Sequence, residues 1–486
     1  MNKIALATSI IELERRRCEL QEELDFTIRK LDKQRAQHAA LVNKDTSPIY
    51  RLPNELLMSI FIMQQRDDRA GRYADRKRYY HVQVLARVSQ HWRSTVFGTP
   101  LLWNVLDLRL RNIQPENQRF LKFLDAQLLH SGTCPLDITL EYLQTRNIGE
   151  YFSRLACHAS RWRRLSILAL DEFQETERLL RGAHTPMLKF LSVTSGPVPP
   201  TEDLAPAMRS HRRTVAITPS ICISNTKLLG FVRIAGHALG CIYPPLVAVT
   251  VLHLDGWAQP VMTDHDIVHI LRATPSLNHL SLNKLTLYHS RDPMEAPPAL
   301  VTLPHLQSLR VRGPCSPLQR FFSIMDTPVL HSLAMYQIPD IKHVLLKTVR
   351  SLTLDGCPMD AQDIRELTHM LPAITQLDVD DDMPAIFRVL NPELGAPAWL
   401  HLHELRLNYL TSADVSDLSA FLLARQRCKE TRSIDTVYLD RRSRLSLRQR
   451  NALDTICATA KVFQHDQVDD LWPADLPYDD VHDCFV

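Results

Sequence analysis

Three hydrophobic rhythms succeed one another along the chain. Over residues 6–41 the seam positions alternate in steps of four and three: Leu6, Ile10, Leu13, Leu20, Leu24, Leu31 and Leu41 are apolar, and Arg17, Thr27, Gln34 and His38 are polar. This is the spacing of a coiled-coil face, and charges of both signs cover the other faces, so residues 1–45 are predicted to form one long helix. Two covers suit the seam: a second copy, giving a homodimer, or the protein's own body.

The second rhythm lies in residues 46–108. Leu52-Pro53-Asn54-Glu55-Leu56-Leu57-Met58-Ser59-Ile60-Phe61 sets Leu56 one turn from Ile60 and Leu57 one turn from Phe61. Pro53 suits a helix start, and Glu55 puts an anion at the positive end of the helix dipole. Val84, Val88, Trp92 and Val96 recur every four residues and predict a second helix. Gly98 in a left-handed cap and Pro100 would end it. The charged stretch from Gln64 to Tyr80 reads as a linker.

The third rhythm fills residues 109–465. Pro-x-Leu/Ile-x-x-Leu recurs at Pro186, Pro275, Pro304, Pro328 and Pro372, and the same strand pattern without proline occurs at Trp162, Val249, Val349 and Leu402. From Leu252 the central leucines step by 28, 29, 24, 19, 25 and 28 residues to Leu405. That is the period of a leucine-rich repeat, in which each unit supplies a short parallel strand and a return segment. Asp264 to Ala273 and Asp360 to Leu371 read as return helices capped by Asp264 and Asp360. The stretch Leu352 to Cys357 resembles the cysteine-containing leucine-rich repeats, and that resemblance implies that Cys357 points inward and bonds loop backbone. Val215 and Ile217 mark a further candidate unit. The expected fold class is therefore α/β: a long helix, a small helical domain, then an irregular repeat solenoid with a curved parallel sheet.

Composition narrows the chemistry. Glycine accounts for only 13 of 486 residues, against roughly 7% in average proteins. No Gly-x-Gly and no Gly-Lys-Ser/Thr occurs, so the common nucleotide-binding loops are absent from the sequence. With glycine scarce, proline is expected to supply most of the turns. The closest of the ten cysteines are 19 residues apart, which excludes a Cys-x-x-Cys site and fits a reducing compartment, cytoplasm or nucleus. Ile4 to Ile11 reads as helix rather than signal peptide, and no membrane span is expected. The 21 histidines lack metalloprotease spacing and read as neutral polar surface. No cofactor, metal or catalytic residue is expected, and the chain is not expected to be an enzyme.

Leu52-Pro53-x-Glu55-Leu56-Leu57-x-x-Ile60-Phe61, then Val88-x-x-x-Trp92, then Leu102-Trp103 resembles the F-box. Together with the preceding charged helix it looks like the F-box-like proteins of mushroom-forming fungi, and the repeats behind it are similar to those that often follow an F-box. The resemblance implies docking on a Skp-type adaptor, and through it a cullin-RING ubiquitin ligase. It assigns Leu52, Pro53, Leu56, Ile60, Phe61, Val88 and Trp92 as adaptor-facing or supporting residues. The implied function is substrate recognition; the alternative is a leucine-rich interaction scaffold without ligase coupling.

Charge adds two features. The formal net charge is +3, but the tail at 466–486 carries seven aspartates and no Lys or Arg, which leaves +10 on residues 1–461. The basic cluster at Arg441 to Arg450 lacks interleaved aromatic residues and the one at Arg66 to Arg78 holds only Tyr73, so nucleic acid is not the expected partner. In each strand, the residues flanking the central leucine are expected on an exposed concave face. His253, His279, Arg310, Asp378 and Arg406 are the candidates there for binding an unknown protein substrate.

Overall fold

The repeated apolar triplets become strands because leucine at alternate positions gives each segment one face that must be buried. The computed structural model describes residues 3–70, 81–111, 118–143, 148–169, 173–195, 223–240, 244–256, 261–288, 300–313, 318–338, 345–380, 384–408, 414–440 and 461–465. In chain order the strands are β1 (Val105–Arg111), β2 (Leu136–Leu143), β3 (Trp162–Ala169), β4 (Phe190–Ser195), β5 (Phe231–Ala235) and β6 (Val251–Asp255). They continue with β7 (Val261–Thr263), β8 (His279–Asn283), β9 (Thr286–Tyr288), β10 (Val301–Thr302), β11 (Ser308–Arg312) and β12 (Met325–Asp326). The last six are β13 (Ser332–Tyr336), β14 (Ser351–Asp355), β15 (Gln376–Asp380), β16 (Glu404–Asn408), β17 (Thr436–Asp440) and β18 (Lys461–His465).

Fourteen of them form one open sheet in the order β1-β2-β3-β4-β5-β6-β8-β11-β13-β14-β15-β16-β17-β18. Every pairing from β2 to β18 is parallel. The architecture is thus α/β, with a long amino-terminal helix and a parallel, solenoid-like sheet. Each strand pairs only with its sequence neighbours in the array. The side pairs β7 with β9 and β10 with β12 lie between successive strands of the main sheet in the chain.

The register follows the leucines. Leu252, Leu280, Leu309, Leu333, Leu352, Leu377 and Leu405 stand opposite one another from strand to strand. All are buried. A slip of one residue would turn this row outward, at about 2 kcal/mol per leucine, so the register is strongly specified. The return segments supply the facing layer. Ile267, Ile270 and Leu271 are buried in the helix Asp264–Arg272, as are Ile364 and Leu367 in Ala361–Met370 and Leu371 just after it.

Asp360 caps its helix as expected, accepting from the amides of Gln362 and Asp363 while Asp363 reciprocates. Asp264 does not cap. The preceding Thr263 does, in a capping box with Asp266, because its hydroxyl sits one residue outside the helix with an acid three residues on. Asp264 is instead buried against Arg320 at 2.7 Å.

Glycine matters more than its scarcity suggested. The residue after β8, β11, β13 and β14 has positive φ: Lys284 at 50°, Gly313 at 81°, Gln337 at 56° and Gly356 at 57°. The amides of Lys284, Gly313 and Gln337 each reach the last carbonyl of the next strand at 2.7–2.8 Å. These four strands exit through a left-handed step, and at Lys284, Gly313 and Gln337 that step carries the hydrogen-bond ladder one residue further. Where a side chain occupies that step, the backbone is held at a cost of about 1 kcal/mol.

The chain divides into two units, residues 1–105 with 126–134 and residues 106–125 with 135–486. In the first, α1 spans Lys3–Thr46, α2 Asn54–Ala70, α3 His81–Val88 and α4 Gln90–Phe97. Three expectations need correction. The stretch from Val84 to Val96 is two helices, because Ser89 is extended (φ −160°) and its hydroxyl accepts from the Trp92 amide, starting α4 afresh. Gly98 is right-handed at φ −79°, so the stop rests on Thr99-Pro100. Residues 64–70 continue α2 rather than forming linker. Residues 71–80, Val215, Ile217, the cluster at 441–450 and the acidic tail lie outside the described residues.

Candidate functional site

The first candidate surface is built on α2 and α3. Their inward positions Leu57, Phe61, Val82, Leu85 and Ala86 pack with Val96, Leu102 and Trp103 into one core, with Ile49, Ile62 and Trp92 against it. The Trp103 indole N–H donates to the Val96 carbonyl at 2.9 Å, and the rings of Phe61 and Trp92 lie 4.7 Å apart. The Pro53 carbonyl accepts from the amides of Leu56 and Leu57 and so begins α2.

With that core closed, the remaining apolar positions face outward. Leu56 is 52% exposed, Ile60 44% and Val88 54%; Met63 and Val84 are exposed as well. Leu56, Ile60 and Met63 are spaced to form one stripe along α2, and Val84 and Val88 one along α3. The seven residues singled out from sequence therefore divide. Leu56, Ile60, Val88 and Pro53 are surface, Leu52 and Trp92 are half-buried, and Phe61, 1% exposed, is core.

The second surface is the face of the main sheet opposite the leucines. Here His253, Arg310 and Asp378 are buried, and His279 and Arg406 are half-buried, which corrects the expectation of an exposed strip. Long side chains at parallel-strand spacing cover one another. The Arg233 guanidinium meets the Asp255 carboxylate at 2.7 Å with both side chains buried. Arg310 Nε donates to the Ser281 hydroxyl at 3.3 Å. Arg406 Nε holds Glu404 at 3.0 Å while its guanidinium lies 5.0 Å from the Tyr438 ring centre. At the other end the rings of Phe190 and Phe231 stack at 4.2 Å, with Arg164 over Phe190 at 3.6 Å.

His253 sits inside this network. Burial pushes its pKa well below the ordinary imidazole value, and Arg310, Arg233 and His279 push it further the same way. Its protonation is thus favoured in the unfolded chain, and stability is full above about pH 6.5 and falls as pH drops below it. We predict that lowering pH from 7.5 to 5.5 removes about 1 kcal/mol through this residue. His253→Gln should flatten the thermal midpoint across that range relative to wild type; an unchanged slope would contradict the assignment.

Two further side chains anchor backbone, Cys357 as the sequence led one to expect and Arg425 without such a signal. Cys357 is buried, with Sγ 3.5 Å from the carbonyls of Met335 and Asp355, and burial raises its thiol to about 11. It bonds backbone, as its place in the repeat suggested. Arg425 on the helix Asp414–Arg427 is buried and points its guanidinium at the carbonyls of Ala398, Trp399, Leu402 and Arg432, at 3.0–3.3 Å. Only its apolar neighbours Phe421 and Leu422 in the sequence hinted at burial.

Among the described residues no group of His, Cys, Asp and Glu is placed to hold a metal ion, and no helix is long and apolar enough to cross a membrane. No protein-family model matches the chain, and no curated protein matches it.

Proposed function

We propose that this chain is the substrate-recognition subunit of a Skp-cullin-F-box ubiquitin ligase, with the α2–α3 surface docking on the Skp-type adaptor and the leucine-rich-repeat array binding a target protein. The observation that supports it is the exposed stripe of Leu56, Ile60, Val84 and Val88 on a helical unit whose own core is already complete. Apolar side chains of this size grouped on one small unit mark a protein-binding surface. Leu56, Ile60 and Val88 are among the positions that the F-box resemblance assigns to the adaptor-facing or supporting set. Ubiquitin transfer would be performed by the other subunits, and this chain would act by raising the effective concentration of its target. On the repeat face, His279 and Arg406 keep part of their side chains accessible for the target, while His253, Arg310 and Asp378 shape the layer beneath.

Co-purification with a Skp-type adaptor tests the reading. Wild type should carry the adaptor, and Leu56→Asp with Ile60→Asp should weaken it about a hundredfold, because two charges would enter an apolar contact. Both positions are exposed, so the thermal midpoint should not move. Failure of wild type to bind would leave the repeat array as a scaffold without ligase coupling.

A further inference from the structure

The helix α1 leaves its seam uncovered along 44 residues, a length of about 66 Å. Leu6, Ile10, Leu13, Leu20, Leu24, Leu31 and Leu41 are all exposed. Burying one side chain of this kind contributes about 2 kcal/mol, so a continuous row of them is a strong reason to associate. The heptad places Ile10, Arg17, Leu24, Leu31 and His38 at a, and Leu6, Leu13, Leu20, Thr27, Gln34 and Leu41 at d. Flanking them are Glu14, Gln21, Ile28 and Arg35 at e, and Arg16, Glu23, Lys30 and Gln37 at g.

Those flanking charges decide the orientation, because e and g residues meet across the seam. A parallel pair would set Arg17 against itself and Lys30 against Arg35 of the partner subunit. An antiparallel pair aligns a with d, e with e and g with g. With Ile10 opposite Leu41 of the partner subunit, Arg17 meets the partner's Gln34, Leu20 meets the partner's Leu31, and Leu13 meets the partner's His38. In the same register Glu14 faces the partner's Arg35, and Glu23 faces the partner's Lys30, each pair occurring twice by symmetry.

Shifting this alignment by one heptad toward the amino terminus makes Glu23 face itself and Arg16 face Lys30. Shifting it the other way sets Arg17 against Leu41 and Leu24 against Gln34. The charges within the helix fit the same choice. Glu12, Arg15, Arg16 and Glu19 form ion pairs inside α1, whereas Glu14, Glu23, Lys30 and Arg35 form none among the described residues. We infer that α1 associates with a second copy of this chain as an antiparallel coiled coil in the Ile10-to-Leu41 register.

Sedimentation equilibrium on the full chain reads the prediction directly. Wild type should be a dimer at micromolar concentration, and Leu20→Asp should make it monomeric. Either a monomeric wild type or a dimer that survives Leu20→Asp would overturn the proposal. Glu14→Arg or Arg35→Glu alone should raise the dissociation constant about tenfold, and the two together should restore it. In a parallel pair Arg35→Glu would instead meet Lys30 and tighten the dimer, and that result would overturn the orientation. Circular dichroism of each variant confirms that helix content is unchanged.

Discussion

Arg425→Met should destabilise the repeat unit by about 4 kcal/mol, because it removes four hydrogen bonds from one charged, buried guanidinium to loop carbonyls. In the wild type Nε reaches the Arg432 carbonyl at 3.1 Å, Nη1 reaches Ala398 at 3.1 Å, and Nη2 reaches Trp399 at 3.0 Å and Leu402 at 3.3 Å. One guanidinium thus fastens the loop before β16 and the segment before β17 to the same helix. Its charge is costly there, since burial lowers its pKa to about 10, yet the carbonyl dipoles offset that cost. Lysine brings no fork, so Arg425→Lys should recover only part of the loss. Arg427, the last residue of that helix, serves as the control. It is exposed and 3.4 Å from an exposed Glu393, so Arg427→Met should change stability by under about 0.5 kcal/mol. Equal thermal midpoints for the two methionine variants would refute the role given to Arg425.

Asp255→Ala should be nearly as damaging, at about 3–5 kcal/mol, because the Arg233 guanidinium would remain buried without the carboxylate 2.7 Å away. The pair bridges β5 and β6, and its two side chains are almost completely withdrawn from water. Replacing both partners by apolar residues, as Arg233→Met with Asp255→Leu, should recover most of the stability, since no charge is then stranded. Chemical denaturation of the single and double variants checks this. A double variant no better than Asp255→Ala would show that the pair does more than neutralise itself.

What the sequence disclosed followed its periodicities. The leucine row from Leu252 to Leu405 was legible to the residue, because one apolar position in each repeat had to share a register with the next. Strands β5 and β17 carry the same triplet as Leu229-Val232-Ile234 and Ile434-Val437-Leu439, with β-branched residues replacing leucine and no proline to announce them. On the opposite face polarity does not mean exposure. Arg310, Asp378 and His253 are polar, yet neighbouring strands enclose them. On the helical unit the period of four was correct but ran through Ser89, where a capping hydroxyl divides one apparent helix into two. Phe61 was separable from Leu56 only once the core had closed on one side of α2.

The spacing between repeats, from 19 to 29 residues, varies while the strand register does not. Only the strand has to meet its neighbour, and the return segment is free to be a helix, a short side pair or a turn. Doubling the length of such a segment costs only about 0.6 kcal/mol in closure entropy, far less than one misplaced leucine. The array can therefore lengthen or diversify by duplication, one strand at a time, without solving its core anew.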